Sequence, residues 1–430
     1  MIDANITNIN LVGFLFILVM GVLTILLPRR FAIFAIIASA CFMTQGQQIV
    51  IGGFHLPVLR IVIFFGWVRL FVRLELTPMK FNIIDKLIII YTFVSIINYV
   101  LLWGTYDAFK NHLGFAYNVI GIYFLFRFLL KDFPDIERTI KILGLALLPL
   151  AGFMILEKLT GRNIFSILGG VPEMTVVRDG FFRSQGPFRH PILAGTFGAT
   201  SLPLLIGLWA KSKNRTWWLA LGIASTAVIT ITSASSGPAL AYCFALIGLV
   251  SWAVRRHMRL IRWGIVFALI SLHIVMKAPV WYLITRISDV IGGSGWHRAY
   301  LIDQAINHFN DWWLIGTRYT ADWLPYTLTV TATDVTNEFI GEGIDGGLLR
   351  MALFISIIVV CFRTIGQSMR RLENPSYFSP FQMWCFGACL LAHVASFFSV
   401  SYFDQMIVFW WMLLAMISTF KVDSMQTRSA

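Results

Sequence analysis

The sequence predicts an all-α polytopic membrane protein, and three observations carry that reading. Of its 430 residues, 58% are hydrophobic and only 13% charged, whereas about a quarter of the residues in a soluble domain carry charge. Apolar runs of about 17–25 residues, the length a helix needs to cross a bilayer, recur from end to end. Lys and Arg gather in the short loops at every second gap, as cytoplasmic loops require. The runs are continuous and do not alternate at period two, which argues against a barrel.

About thirteen spans can be placed by length and hydrophobicity, so the expectation is about 12–13 transmembrane helices. They fall near 10–27, 31–50, 57–73, 87–104, 113–130, 139–156, 190–209, 216–232, 238–254, 260–277, 346–362, 380–398 and 403–420. The first run precedes Pro28-Arg29-Arg30 and lacks a small-residue cleavage site, so it reads as a retained span and not a signal peptide. The second is interrupted by Gln45-Gly46-Gln47-Gln48, and the third contains Arg60. Alternating sides from there places Arg29, Arg69, Lys131, Lys211, Arg255, Arg363 and Lys421 together, on the cytoplasmic face. The N-terminus is then outside and the C-terminus inside. The whole chain, 1–430, reads as a single integral membrane domain.

A net charge of +13 raises nucleic acid as a partner, but the positions of the charges assign them to the membrane instead. Five cysteines lie within or beside spans with no CxxC pair, and read as packing residues. The eight histidines are scattered without metal-ligand spacing. No Walker loop, dinucleotide fingerprint, HExxH or GxSxG is present. No metal and no cofactor is therefore expected.

Two outside loops are long: 158–189 and 278–345. In the second, Ala299, Ile302, Ala305, Ile306 and Phe309 recur at helical spacing. Trp312 and Trp313 follow, then Gly316 as a stop signal. This predicts an amphipathic helix ending in paired tryptophans, a lid resting on the membrane surface. Both loops carry arginines on the disfavoured side: Arg162, Arg178, Arg183 and Arg189 in the first, and Arg286, Arg298 and Arg318 in the second. Arginine suits phosphate because its planar fork donates two parallel hydrogen bonds. Pairing with Asp179, Asp289 or Asp303, or with lipid headgroups, is the alternative. The first loop re-enters the membrane at Pro191, a residue favoured at helix starts, and a helix N-terminus beside Arg183 and Arg189 favours an anion.

Here a resemblance becomes specific. Arg183, Gly186, Phe188, Pro191, Leu193 and Ala194 follow the pattern RxxGxFxxPxxLA, and the preceding Glu157-Lys158-Leu159-Thr160-Gly161-Arg162-Asn163 closes a span. Ser235-Ser236-Gly237-Pro238 follows, then Gly295-Trp296-His297-Arg298 with Asp311-Trp312-Trp313-Leu314-Ile315-Gly316. Last come Asp334-Val335-Thr336-Asn337-Glu338, Gly343 and Gly346-Gly347. In this order over about 150–420 the chain resembles the bacterial O-antigen ligase and polysaccharide polymerase superfamily, and within it an exopolysaccharide polymerase branch best. It departs from the commoner pattern at Thr336, where a histidine is usual, at Ser236, where an arginine is usual, and at Ile192, where an asparagine is usual. A histidine base therefore does not carry over to position 336.

The resemblance implies a membrane glycosyltransferase with a fold of the C type, in the bacterial inner membrane with its active site on the periplasmic face. Its donor would be an undecaprenyl diphosphate-linked oligosaccharide and its acceptor a glycan hydroxyl. Its other partners would be the bilayer and further polysaccharide assembly and export proteins. Arg183 and Arg298 are the expected diphosphate clamp, with Arg189 and Arg318 behind them. Asp334, Glu338, Glu342 and His190 are candidate proton acceptors for the incoming hydroxyl. Asn337 is expected to orient a ligand or loop. Three other readings stay open at this point: a ligase transferring glycan to a lipid A core, a lipid-linked glycan transporter or flippase, and a non-catalytic scaffold of an export complex.

Overall fold

A computed structural model describes residues 7–51, 54–211, 216–286, 295–323, 335–371 and 378–426. Helices dominate, in the order α1 (Leu11–Leu26), α2 (Arg29–Phe42), α3 (Val58–Val72), α4 (Ile83–Trp103), α5 (Tyr106–Leu129), α6 (Phe133–Thr160), α7 (Pro191–Lys211), α8 (Trp217–Thr232), α9 (Ser236–Val250) and α10 (Met258–Val275). Then come α11 (Gly295–Asn307), the single turn α12 (Phe309–Trp312), α13 (Glu338–Arg371), α14 (Pro380–Phe397) and α15 (Gln405–Gln426). Each of the thirteen expected apolar segments holds a helix. Among the described residues seven helices are long and apolar enough to cross a membrane: α4, α5, α6, α7, α10 with the turn before it, α13 and α14. Helices α1, α8 and α9 and the Gln405–Phe420 part of α15 are apolar but only 10–17 residues long. This is the architecture of a polytopic membrane protein.

Local chemistry sets the helix ends. Asn82 accepts from the Asp85 amide while the Asp85 carboxylate accepts from the Asn82 amide, a reciprocal cap that starts α4. Asp132 caps α6, and left-handed glycines, Gly104 and Gly161, end α4 and α6. The second expected span is shorter than 31–50. Its helix stops at Phe42, and Gln47–Ile51 instead forms strand β2, paired with β1 (Thr7–Asn8) and β3 (Phe54–Pro57). The polar run at 45–48 is the reason. The Gln47 amide donates to Thr44 Oγ1 and to the Leu168 carbonyl, both at 2.7 Å, and a continuing helix would give up these bonds.

Several ionisable groups inside the bundle find partners. Arg127 meets Asp85 at 3.0 Å with both side chains buried. Tyr123 (2.6 Å) and Ser418 (3.1 Å) also donate to that carboxylate. Arg60 reaches back to the His55 carbonyl at 2.9 Å. Arg69 is buried, donating to both oxygens of Glu75 and to the Thr24 and Leu27 carbonyls that end α1. Satisfied in this way, buried charge is tolerable.

Between α6 and α7 the sequence suggests only a loop. The structure has a hairpin there, β4 (Val176–Arg178) against β5 (Phe181–Arg183). Its two-residue turn, Asp179 and Gly180, has φ of +54° and +79°, the left-handed pair that matches strand twist.

In the long loop the amphipathic helix is present as α11, but its buried face is turned from the expected one. Ala299 and Ala305 are buried as predicted, Leu301 joins them, and Ile306 and Phe309 are exposed. The cause is a small cluster in which Leu301 and Ala305 pack with Trp312, Trp323 and Val335. Trp312 is a core residue and not a membrane anchor. Its indole N–H donates to the Ala305 carbonyl at 2.7 Å and its ring lies over Gly343. Only Trp313 of the pair is exposed.

Helix α13 breaks at Gly346 and Gly347, where φ reaches +76° at Gly347. A Cβ there would strike the Leu314 carbonyl, so the residue must be glycine. The break separates a short acidic segment, Glu338–Asp345, from the span that follows.

Candidate functional site

The site is built up from Glu157 at the end of α6, a buried carboxylate with backbone partners. It accepts from the Gly186 amide (2.7 Å), the Gln185 amide (3.1 Å) and the Thr175 hydroxyl (3.3 Å). Asn163 holds the same glycine from its other side, donating to the Gly186 carbonyl at 2.7 Å. Ser184 donates its amide to the Thr232 carbonyl at 3.1 Å and its hydroxyl to the Met154 carbonyl at 3.0 Å. The Gln405 amide reaches the Pro187 carbonyl at 2.9 Å. These bonds fix the 183–188 segment against three helices, α6, α8 and α15, and they turn Arg183 inward.

Arg183 is buried, and its Nη2 donates to Ser235 Oγ at 2.6 Å, where α9 begins. Its Nε is buried without a hydrogen-bond partner. From α11, in the other loop, Arg298 arrives at the same turn. A Cβ placed on Gly237 would lie 3.8 Å from Arg298 Nη2 and 2.6 Å from Ser399 Oγ, so the glycine leaves room for both. Arg178 stands near enough to act on both guanidiniums. Burial first, then the Arg178 charge, lowers the pKa of Arg183 and of Arg298. Arg178 itself lies 3.5 Å from Asp179. Among the described residues no carboxylate pairs with Arg183 or Arg298. Three guanidiniums with one exposed acid make a concentrated positive site.

The other expected residues sit in different surroundings. Arg189 is paired with Asp404 at 3.5 Å and lies 5.8 Å from the Phe403 ring centre. Burial pushes the Asp404 carboxyl up to about 6 while Arg189 pulls it down. Arg318 is apart from the cluster, donating twice to the Leu102 carbonyl and resting 5.4 Å from the Trp103 ring centre, where it covers the end of α4. His190 accepts the Ile192 amide on Nδ1 at 3.1 Å and so serves the first turn of α7. Burial, then the charges of Arg183 and Arg178, pushes its pKa down to about 4, leaving a neutral and weakly basic ring at pH 7.

The acids separate just as clearly. Glu342 is buried and ion-paired with Arg350 at 2.6 Å, and it accepts from the Tyr91 hydroxyl at 2.7 Å. Arg350 also lies 3.7 Å from Asp345 and 5.0 Å from the Phe115 ring centre. Glu338 accepts only the Tyr402 amide, at 2.7 Å, among the described residues. Asn337 caps the helix that carries both acids, its Oδ1 accepting the Ile340 amide at 3.2 Å. Asp334 lies outside the described residues.

No protein-family model and no curated protein matches this chain.

One element of the site escaped sequence reasoning altogether. The turn between α14 and α15, Ser399 to Asp404, touches several of the other parts. Ser399 abuts Gly237, Ser401 donates to the Val335 carbonyl at 3.2 Å, Tyr402 serves Glu338, and Asp404 meets Arg189. The Tyr402 hydroxyl is itself held by His393 (2.7 Å) and Ser396 (2.6 Å). A polar run, Ser399-Val400-Ser401-Tyr402-Phe403-Asp404, between two spans was the available signal. Loops of that kind carry function more often than their length suggests.

Proposed function

We propose that this protein is a membrane glycosyltransferase, a polymerase that joins undecaprenyl diphosphate-linked glycan units to an acceptor glycan at the outer face of a bacterial inner membrane. One observation carries the reading. Arg183 and Arg298 come from separate loops to one turn, and no carboxylate among the described residues neutralises them. A buried guanidinium, Arg183, and a half-buried one, Arg298, at one turn are costly unless a ligand supplies the negative charge. A diphosphate supplies it in a shape that the arginine fork matches.

The chemistry follows from that placement. The acceptor hydroxyl oxygen attacks the anomeric carbon, a new C–O bond forms, and the bond from that carbon to the diphosphate oxygen breaks. The electron pair leaves with the diphosphate, where Arg183 and Arg298 stabilise the growing charge. Attack opposite the leaving group inverts the anomeric centre. The hydroxyl proton passes to Glu338. Of the described candidates it has the least occupied carboxylate, since Glu342 is taken by Arg350 and Tyr91 and the His190 ring is a weak base. Arg189 and Asp404 flank this centre, and Arg318 supports α4. Inside the bundle the charges discussed above, Asp85 with Arg127 and Glu342 with Arg350, already satisfy one another, which favours transfer at the outer end over carriage through the bundle.

The test is reconstitution in liposomes with an undecaprenyl diphosphate-linked repeat unit, resolved on a gel. A ladder of lengths is expected. A single shifted band that needs an added lipid acceptor would assign a ligase instead. Movement of intact donor across the bilayer, without a new glycosidic bond, would assign a transporter.

A further inference from the structure

The hairpin β4–β5 has an unusual surface. Of its two three-residue strands only Arg183 is buried. Phe181 is 65% and Val177 56% exposed, and Val176 and Phe182 also remain open. A two-stranded hairpin is marginal in water, and one bearing this much apolar surface calls for an apolar partner.

The register sorts the residues by face. Val176 pairs with Arg183 and Arg178 with Phe181, while Val177 pairs with Phe182. Side chains of directly paired residues share a face, and successive ones alternate. One face therefore carries Arg178 and Arg183 with Val176 and Phe181 between and beside them. On the other, Phe182 leans on Gly161, and Lys158 donates to its carbonyl.

We propose that the arginine-bearing face of this hairpin seats the first isoprene units of a polyprenyl diphosphate while Arg178, Arg183 and Arg298 hold the diphosphate. The inference rests on the glycosyl-transfer reading for its substrate and adds where the lipid lies. The spacing argues for this amphiphile. Cross-strand partners stand about 4.5–5.5 Å apart at Cβ, so Phe181 and Val176 offer apolar contact immediately beside a guanidinium. In a prenyl diphosphate the hydrocarbon begins at the diphosphate oxygen itself. A glycerophospholipid places a polar glycerol ester layer between phosphate and chain, which would set ester oxygens against Phe181. The hairpin also joins two helices of spanning length, α6 and α7, which puts it beside the leaflet where such a lipid resides.

The test measures binding of undecaprenyl diphosphate and of methyl diphosphate, which has no isoprene unit to place on the hairpin, to the full chain in nanodiscs. The variants are Phe181→Ser with Val176→Ser, and Phe181→Leu as the apolar control. The serine pair is expected to weaken the long-chain ligand about tenfold and leave the short one nearly unchanged, with Phe181→Leu close to wild type. Equal loss for both ligands, no loss for the long one, or no binding of either to wild type would overturn the proposal. So would displacement by an equal mole fraction of phosphatidylglycerol, which would make the face an ordinary lipid contact. Chain-length-dependent binding in a protein that makes no glycosidic bond would leave the lipid seat standing and remove the transferase reading.

Discussion

Arg183 donates from Nη2 to Ser235 Oγ at 2.6 Å, and Ser235 gives its own single hydroxyl hydrogen to the Ser233 carbonyl at 2.9 Å. The hydroxyl can therefore only accept from Arg183. This one-way bond ties the end of the first loop to the start of α9, and it leaves the rest of the guanidinium for a ligand.

If the two guanidiniums stabilise a leaving diphosphate, Arg183→Ala and Arg298→Ala should each lower turnover about 10²–10³-fold. Thermal stability should hold, because neither has an ionic partner among the described residues. Polymer output and melting temperature, measured on purified variants, check this together. Full output from well-folded Arg298→Ala would remove it from the clamp.

Glu338 and Glu342 should behave differently although they lie four residues apart. Glu338→Gln is expected to slow transfer about 10²–10⁴-fold while donor binding persists. Glu342→Gln weakens the contacts with Arg350 and Tyr91, and the expected loss is stability, up to about 3–5 kcal/mol. Comparing single-turnover rates with denaturation midpoints separates the two roles.

Gly186 has φ of +55°, and a methyl group added at its Cα would stand 3.4 Å from Leu150 and 3.5 Å from Met154, an ordinary contact. Backbone strain alone should therefore decide Gly186→Ala, at about 1–2 kcal/mol. Glu157→Gln should cost more, since it removes charge from a carboxylate that accepts two backbone amides. Chemical denaturation of both variants in the same detergent gives the ranking.

The pH response has a definite sign. The His190 pKa falls from 6.5 to about 4 on folding. Between those values the unfolded chain binds a proton that the folded chain refuses, so stability falls as pH drops through this window. Asp404 acts oppositely: its pKa rises from 3.8 to about 6, so its contribution is present at low pH and is lost as pH rises between them. His190→Asn, which keeps an acceptor for the Ile192 amide, should reduce the loss of melting temperature between pH 7 and pH 5. An unchanged loss would show that folding does not lower the His190 pKa.

Sequence reasoning reached most of the helices because span length and apolarity are properties of contiguous residues. It failed where a polar run competed with the helix, at Gln45-Gly46-Gln47-Gln48, where the Gln47 side chain finds a partner in a distant loop. It misjudged the face of α11 for a related reason. Periodicity gives the existence of an amphipathic face, but Trp312 and Trp323, from beyond the helix, decide which residues it covers. The hairpin at 176–183 was legible only in its Asp179-Gly180 turn, and strands of three residues are too short to leave a pattern.

By itself the sequence determined that the chain is a helical membrane protein with arginines retained in two long loops, since hydrophobic content and charge distribution need no partner to be read. Only the tertiary structure decided that Arg183 and Arg298 reach the same turn, that Arg318 covers the end of α4, and that Glu342 is spent on Arg350 while Glu338 is not. Those outcomes depend on which groups are buried within a few ångströms of each other. Charge interaction and desolvation are set by distance through space, and residues far apart in the chain carry no local record of it.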